Sequence, residues 1–374
     1  MRRNHPLKET SGTDSGRNAN GTVTGHGNGN GNGRATLRDV ASVAGVSVST
    51  VSLVLSGKSA ERRISAEVER RVREVAREKD YSPNLLVRSL QRGRTHVMSF
   101  YSGFSTRDPG DLYMDRITAA VERAAGVAEY DLLVHSSQRQ RSPEEMYSLF
   151  NGGFSDGVLI FGPEQGNPLV ALLRTSRLPV VVLGHADSQG TMSYVCDDWT
   201  DGMFQVADAL VSLGHRRLGV IAGGPWSDSA VRIAALQTRL RQHGLAVPDD
   251  AILPTYENGG NSPEESVAHL LSVPPGRRPS ALFCWHDWIG YRVLEACDRL
   301  GVRVPEELSL VGYDGIHWSS TSPHILASVQ VPMDQMADSA VAALDQLICG
   351  TVEGPIIAKL PVTLNYGTTL TTPA

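Results

Sequence analysis

The sequence predicts an N-terminal all-α unit of the helix-turn-helix kind joined to a larger, two-lobed α/β body with mostly parallel sheets. Three observations carry that prediction. From Thr36 to about Gly93 the apolar spacing is helical throughout. Beyond Thr95, short β-branched runs alternate with amphipathic stretches, the pattern of βαβ units. The charge divides at the same place. Residues 34–94 carry thirteen basic and seven acidic side chains, and residues 95–374 carry 18 basic and 31 acidic, within a chain of net charge −5. A basic front on an acidic body points to polyanion binding by one part only.

Residues 1–33 are polar and end in GHGNGNGNG (Gly25–Gly33). With little to bury against its ordering entropy, this segment is expected to be a disordered tail. No strand precedes the glycine repeat, so it does not read as a phosphate-binding loop. The first helix opens on Thr36-Leu-Arg-Asp39, a capping box, with Leu37, Val40, Ala41 and Ala44 on one face. Gly45 provides the turn, and Ser47 caps a second helix whose expected inner stripe is Val48, Val51, Val54 and Leu55. A third helix runs from Ser65 with Val68, Val72, Val75 and Ala76 inward. Two short helices joined by a tight turn and packed by a third make a helix-turn-helix unit, placed at 34–81, with a linker at 82–94.

In the body, strands are expected at His96–Tyr101, Asp131–His135, Gly157–Phe161, Val180–Leu183, Leu218–Ala222, Ala281–Cys284 and Leu308–Tyr313. Helices are expected near 112–128, 143–150, 167–175, 200–213, 229–243, 263–272, 288–300 and 334–348. About 280 residues is large for a single such sheet, so two lobes are expected. The body is placed at 95–366, followed by a short tail, 367–374, with no appended heptad helix.

Composition narrows the classes. Cys196, Cys284, Cys297 and Cys349 are far apart and form no CxxC pair, and Cys284 with His286 is too small a set for a metal site. No apolar run approaches membrane-spanning length, and no apolar h-region follows Arg2 and Arg3, so a cytoplasmic protein without a membrane, metal or cofactor partner is expected. An enzyme is the main competing class, but GxSxG, GxxxxGK[ST] and HExxH are all missing, and nothing near Cys284 and His286 orients the imidazole as a base.

The second helix directs Ser49, Ser52, Leu53 and Ser56 away from its core stripe. Small hydroxyls there can approach phosphates and base edges closely, and Leu53 can meet a thymine methyl in a major groove. The run TLRDVASVAGVSVSTVSLVLSGK (Thr36–Lys58), continued through Arg63–Thr95, closely resembles the DNA-binding headpiece of the LacI/GalR family of bacterial repressors. The resemblance implies that Val48, Ser49 and Leu53 read bases, and that Ser47, Ser52 and Ser56 contact phosphates, with Thr36 and Arg38 also at the DNA. A polar or basic side chain is frequent in the family where this chain has Leu53, and the loop Ser56–Arg63 is slightly longer than in its best-known members. Tyr81-Ser-Pro-Asn84 followed by LLVRSL resembles the family's hinge. By that resemblance Asn84, Val87, Arg88 and Leu90 contact DNA, with Leu90 wedged into the minor groove. So short a helix is marginal in water alone, which suits a switch.

Residues 95–366 resemble the same family's sensor, a periplasmic-binding-protein-like fold, through Phe154–Ile160, Leu213–Ile221, Arg303–Asp314 and Leu326–Val331. The resemblance implies a ligand between two lobes, and chain crossings are expected near 213–217, 326–330 and 351–354. Candidate effector residues are Asp198, Arg232, Asp287 and Asp314, which follow strands, together with Ser102, Tyr113 and His286. Carboxylates converging on an arginine suit the hydroxyls of a sugar. Trp285, Trp288 and Trp318 fall near the expected cleft loops, with core packing the better reading of Trp285. A cleft aromatic frequent in the family would fall near Asn261, where none stands. The resulting expectation is a homodimeric regulator, a repressor above all, that binds operator DNA and responds to a carbohydrate effector. The alternatives are a solute-binding protein and a regulator responding to a nucleoside or other non-sugar ligand.

Overall fold

The computed structural model describes residues 35–82, 93–102, 112–135, 139, 141–163, 166–186, 189–223, 229–255 and 260–373. It divides into two compact units, Met1–Asn84 and Leu85–Ala374. The expected N-terminal tail lies outside the described residues.

The first unit contains α1 (Leu37–Ala44), α2 (Val48–Leu55) and α3 (Ala66–Glu78). The capping box forms as expected: Thr36 Oγ1 accepts from Asp39 N–H at 3.3 Å, and Asp39 Oδ2 accepts from Thr36 N–H at 2.8 Å. Gly45 then adopts φ +66°, a left-handed cap that a Cβ would strain. Ser47 Oγ receives Thr50 N–H at 3.1 Å and starts α2 at once, so the two axes turn by 105°. Val40, Ala41, Ala44, Val51, Val54, Val72, Val75 and Ala76 form the buried core, with Leu55 and Val68 packed against it. Val48 departs from the expected stripe and is 42% exposed. It is the first residue of α2, immediately after the cap, where the chain has not yet turned under α1.

The second unit holds two six-stranded sheets. Sheet one contains β1 (Val97–Ser102), β2 (Asp131–Val134), β3 (Gly157–Phe161), β4 (Val180–Leu183), β5 (Ser193–Asp197) and β11 (Ile357–Leu360), in the order β11-β5-β4-β3-β1-β2. Its helices are α4 (Leu112–Val127), α5 (Pro143–Phe150), α6 (Pro168–Leu173) and the late-coming α11 (Met333–Cys349). Sheet two contains β6 (Leu218–Ala222), β7 (Ile252–Pro254), β8 (Ala281–Cys284), β9 (Ser309–Asp314), β10 (Ala327–Gln330) and β12 (Thr363–Asn365), in the order β12-β10-β9-β8-β6-β7. Its helices are α7 (Trp199–Ser212), α8 (Ser229–Gln242), α9 (Pro263–Ser272) and α10 (Asp287–Leu300). Among the described residues, every strand pair is parallel except β10 with β12. β3 and β4 are buried along their whole length, as parallel strands covered on both faces must be. At Gly157 the helix α11 approaches so closely that a Cβ would lie 2.7 Å from Leu344 Cδ1.

Sheet membership places the three crossings between lobes at Asp198, at 331–332 and at 361–362. The expected positions, 213–217 and 351–354, are corrected: α7 already packs on α8 and β12, and β11 is still part of sheet one. Periodicity identifies elements but not the sheet they join. The second crossing lies just past the expected 326–330. The short β7, β11 and β12 were also not separable from loops by pattern. The expected tail is corrected too. Leu310 N–H donates to Thr369 O at 2.9 Å, and Thr369, at 0% exposed, receives Ala327 N–H on Oγ1 at 2.8 Å, so the chain end is docked along sheet two. Among the described residues, no single helix is long and apolar enough to cross a membrane.

Candidate functional site

In the first unit, the exposed face of α2 carries Val48 and Ser49, with Ser52, Leu53 and Ser56 half-buried. Ser47 Oγ lies 2.7 Å from Ser49 Oγ and 2.8 Å from Thr50 Oγ1, a cluster of hydroxyls at the positive end of the helix. Ser56 Oγ donates to Leu53 O at 3.1 Å. Thr36 and Arg38 are exposed at the start of α1. Part of the basic excess is neutralised locally, since Arg70 pairs with Glu74 at 3.1 Å and Arg73 with Glu69 at 2.7 Å on α3. Asn84, Val87, Arg88 and Leu90 lie outside the described residues.

In the second unit, Arg232 stands in the first turns of α8, after β6. Its Nη1 donates to Trp285 O, just past β8, at 2.9 Å and lies 4.0 Å from Asp314 Oδ1, the last residue of β9. Its guanidinium covers the Tyr313 ring at 3.7 Å. Three adjacent strands, β6, β8 and β9, thus end around one cation that is 7% exposed. Asp314 itself holds φ +111°, an unusual backbone for a side chain other than glycine. Polar groups converging outside the carboxyl ends of parallel strands form the ordinary small-molecule site of an α/β sheet.

His286 caps α10: its Nδ1 accepts from Ile289 N–H at 3.2 Å, and its ring centroid lies 3.9 Å from that of Trp285. Burial and the neighbouring Arg232 hold its pKa down to about 3, so it is neutral at physiological pH. Trp288 lies 6.0 Å from His286 and 6.5 Å from Trp318, edge to face, extending an aromatic wall along the ends of β8 and β9. Ser102 ends β1 and Tyr113 opens α4 on the facing lobe, where the Tyr113 ring lies 5.8 Å from Phe161.

Of the two remaining candidate carboxylates, Asp287 departs from expectation. Asp287 is 0% exposed; its Oδ2 accepts from Ile316 N–H and its Oδ1 from Ser328 Oγ, both at 2.6 Å. Burial and the nearby Asp314 push its pKa up. It fastens the turn after β9 instead of facing the cleft. Asp198 caps α7 and lies 2.8 Å from Lys359 Nζ, at the end of β11. Sequence reasoning missed Lys359, Asp197 and Tyr313. The tandem Asp197-Asp198 at a strand end was a usable signal, because neighbouring side chains there point to opposite sides.

Fold and site together define a regulator with a helix-turn-helix headpiece and a two-lobed small-molecule sensor. Residues 36–84 match the family described as bacterial regulatory proteins, lacI family, and residues 207–370 match the periplasmic binding protein-like domain. The chain belongs to the LacI family of transcriptional regulators, a non-enzymatic family. It is 29% identical over 328 residues to the HTH-type transcriptional repressor PurR of Escherichia coli O139:H28, covering 86% of this chain and 92% of that one. Among solved structures, it resembles a transcriptional regulator CelR–cellobiose complex (25% identity, TM-score 0.64, 90% of this chain and 100% of the other). It shares its fold with the lac repressor dimer bound to operator and the anti-inducer ONPF (22% identity, TM-score 0.73, 90% and 99% coverage).

Proposed function

We propose that this regulator is a homodimeric repressor whose affinity for a roughly palindromic operator is set by a small molecule bound at Arg232 and Asp314. A sugar or sugar derivative is the proposed effector. The observation that carries this reading is the convergence of three strand ends on buried Arg232, beside a wall of Trp288 and Trp318. A guanidinium and a carboxylate fix hydroxyls in direction, while an indole face covers the apolar side of a pyranose. The CelR relative, solved with cellobiose, supports the same chemistry. The facing residues Ser102, Tyr113 and Asp198, with His286 as a neutral partner, complete the proposed site.

At the DNA, Val48, Ser49 and Leu53 are the proposed base readers. Ser47, Ser52, Ser56, Thr36 and Arg38 are the proposed phosphate-side contacts. Asn84, Val87, Arg88 and Leu90 of the hinge are proposed to bind the operator centre. Effector binding shifts operator affinity by its differential affinity for two lobe arrangements.

The test starts with selection of an operator from random duplex DNA. A thermal-shift screen of sugars, cellobiose included, and of nucleosides then supplies ligands for an operator-release assay. Arg232→Ala is expected to lose the ligand response while ligand-free operator binding stays near that of the parent. A variant that responds as the parent does overturns the site, and a nucleoside hit with no sugar hit overturns the effector class.

A further inference from the structure

We infer that Tyr313 and Asp197 form a latch between the two lobes, acting as positioning residues that report the state of Arg232 to the first chain crossing. The inference rests on the effector reading above and deepens it. Asp197 ends β5 in sheet one, one residue before the crossing, and is 4% exposed. Tyr313 lies in β9 of sheet two and is 0% exposed. The Tyr313 hydroxyl donates to Asp197 Oδ2, joining the two sheets by a buried hydrogen bond. The ring of the same tyrosine carries the Arg232 guanidinium at 3.7 Å. One side chain therefore touches the cation of the candidate site with its face and the opposite lobe with its hydroxyl.

The surroundings make this connection stiff. A Cβ at Gly202 in α7 would lie 3.3 Å from Tyr313 Cε2 and 3.0 Å from Val329 Cγ1 and Val362 Cγ2, so the ring has little room to swing. Beyond it, the unusual backbone of Asp314 is held by Gly315 N–H on Ser328 Oγ at 3.1 Å and by Ile316 N–H on Asp287. Ile316 is itself buried in the core of lobe one with Met333 and Met336. The end of β9 is thus tied to the other lobe at two points, Tyr313 and Ile316. Asp198 does not duplicate the latch, because its carboxylate lies against Lys359 of sheet one. A buried phenol and carboxylate are either bonded or left without water to replace the bond, so the element favours discrete lobe arrangements over continuous drift. Movement of Arg232 toward a ligand alters the load on the ring and, through its hydroxyl, the crossing.

The test needs neither effector nor operator, so failure of the latch and failure of the effector reading give different results. Hydrogen exchange by mass spectrometry is followed on the full-length chain, comparing segments 193–202 and 309–318 with the outer strands β2 and β7. Tyr313→Phe keeps the ring beneath Arg232 and removes only the hydroxyl. It is expected to raise exchange in the two crossing segments by about threefold or more, with the outer strands unchanged. Asp197→Asn, which keeps an acceptor oxygen, is expected to stay closer to the parent. Arg232→Ala is expected to change exchange at 193–202 when Tyr313 is present and to add no further change in the Tyr313→Phe background. Parent-like exchange in Tyr313→Phe, a rise in every segment alike, or additive effects of the two substitutions would overturn the latch.

Discussion

Lys359 Nζ lies 2.8 Å from Asp198 Oδ1, linking the end of β11 to the cap of α7 at the point where the chain first passes between lobes. Burial raises the Asp198 pKa, but the Lys359 ammonium and the N–H groups of Asp201 and Thr200 outweigh it and leave the carboxyl below its ordinary 3.8. A lowered carboxyl pKa stabilises the fold above the unfolded value, and that contribution is lost as pH falls through the folded value. Lys359→Met is therefore expected to raise the Asp198 pKa, read by carboxyl-carbon NMR titration. An unmoved titration would show that the backbone donors alone set it.

Val51 and Val48 test packing against the proposed recognition. Val51 is 0% exposed, so Val51→Ala is expected to destabilise the headpiece by about 2 kcal/mol. Val48 is 42% exposed, and Val48→Ala is expected to change stability by less than about 0.5 kcal/mol while altering the operator sequences selected. Thermal unfolding and repeated operator selection check the pair. A large loss of stability from Val48→Ala would return that residue to the core.

His286 is expected to remain neutral down to mildly acidic solution, with no ring titration between pH 5 and 8 by NMR. Its folded pKa of about 3 lies below the ordinary 6.5. The contribution to stability is therefore present above pH 6.5 and declines as pH falls toward the folded value. His286→Gln is expected to flatten part of the acid side of the urea-unfolding profile. A midpoint for the His286 ring near 6.5 would contradict its enclosure.

Asp287 is expected to matter for stability first. Asp287→Ala removes the acceptor for Ile316 N–H and Ser328 Oγ and is expected to cost about 2–4 kcal/mol in denaturant unfolding. Gly312→Ala probes the same place, because its Cβ would collide with Asp287 Oδ1. A parent-like unfolding midpoint for both would leave this carboxylate free for ligand binding after all.

Much of the body was legible because its signals are local. The run Val180–Leu183 is apolar in every position and becomes a strand buried on both faces. Gly45 and Ser47 mark the turn between α1 and α2 without reference to anything distant. The candidate cleft was legible only in part. Arg232 and Asp314 follow strands and do converge, but Asp287, which also follows a strand, turns inward. Position after a strand places a residue near the cleft and leaves open which way its side chain points. That direction depends on whether buried N–H groups, such as that of Ile316, need an acceptor.

The sequence by itself determined the helix-turn-helix unit, the alternation of strands and helices, and the division of charge between a basic front and an acidic body. Each follows from spacing, capping or composition along the chain. Only the tertiary structure decided where the chain crosses between sheets and that its last residues dock along sheet two. It also brought Tyr313 to Asp197, 116 residues away, with Arg232 on its ring. These are choices between partners far apart in the chain. Which pair wins depends on packing and on buried hydrogen bonds that must all be satisfied together, and no local pattern records that outcome.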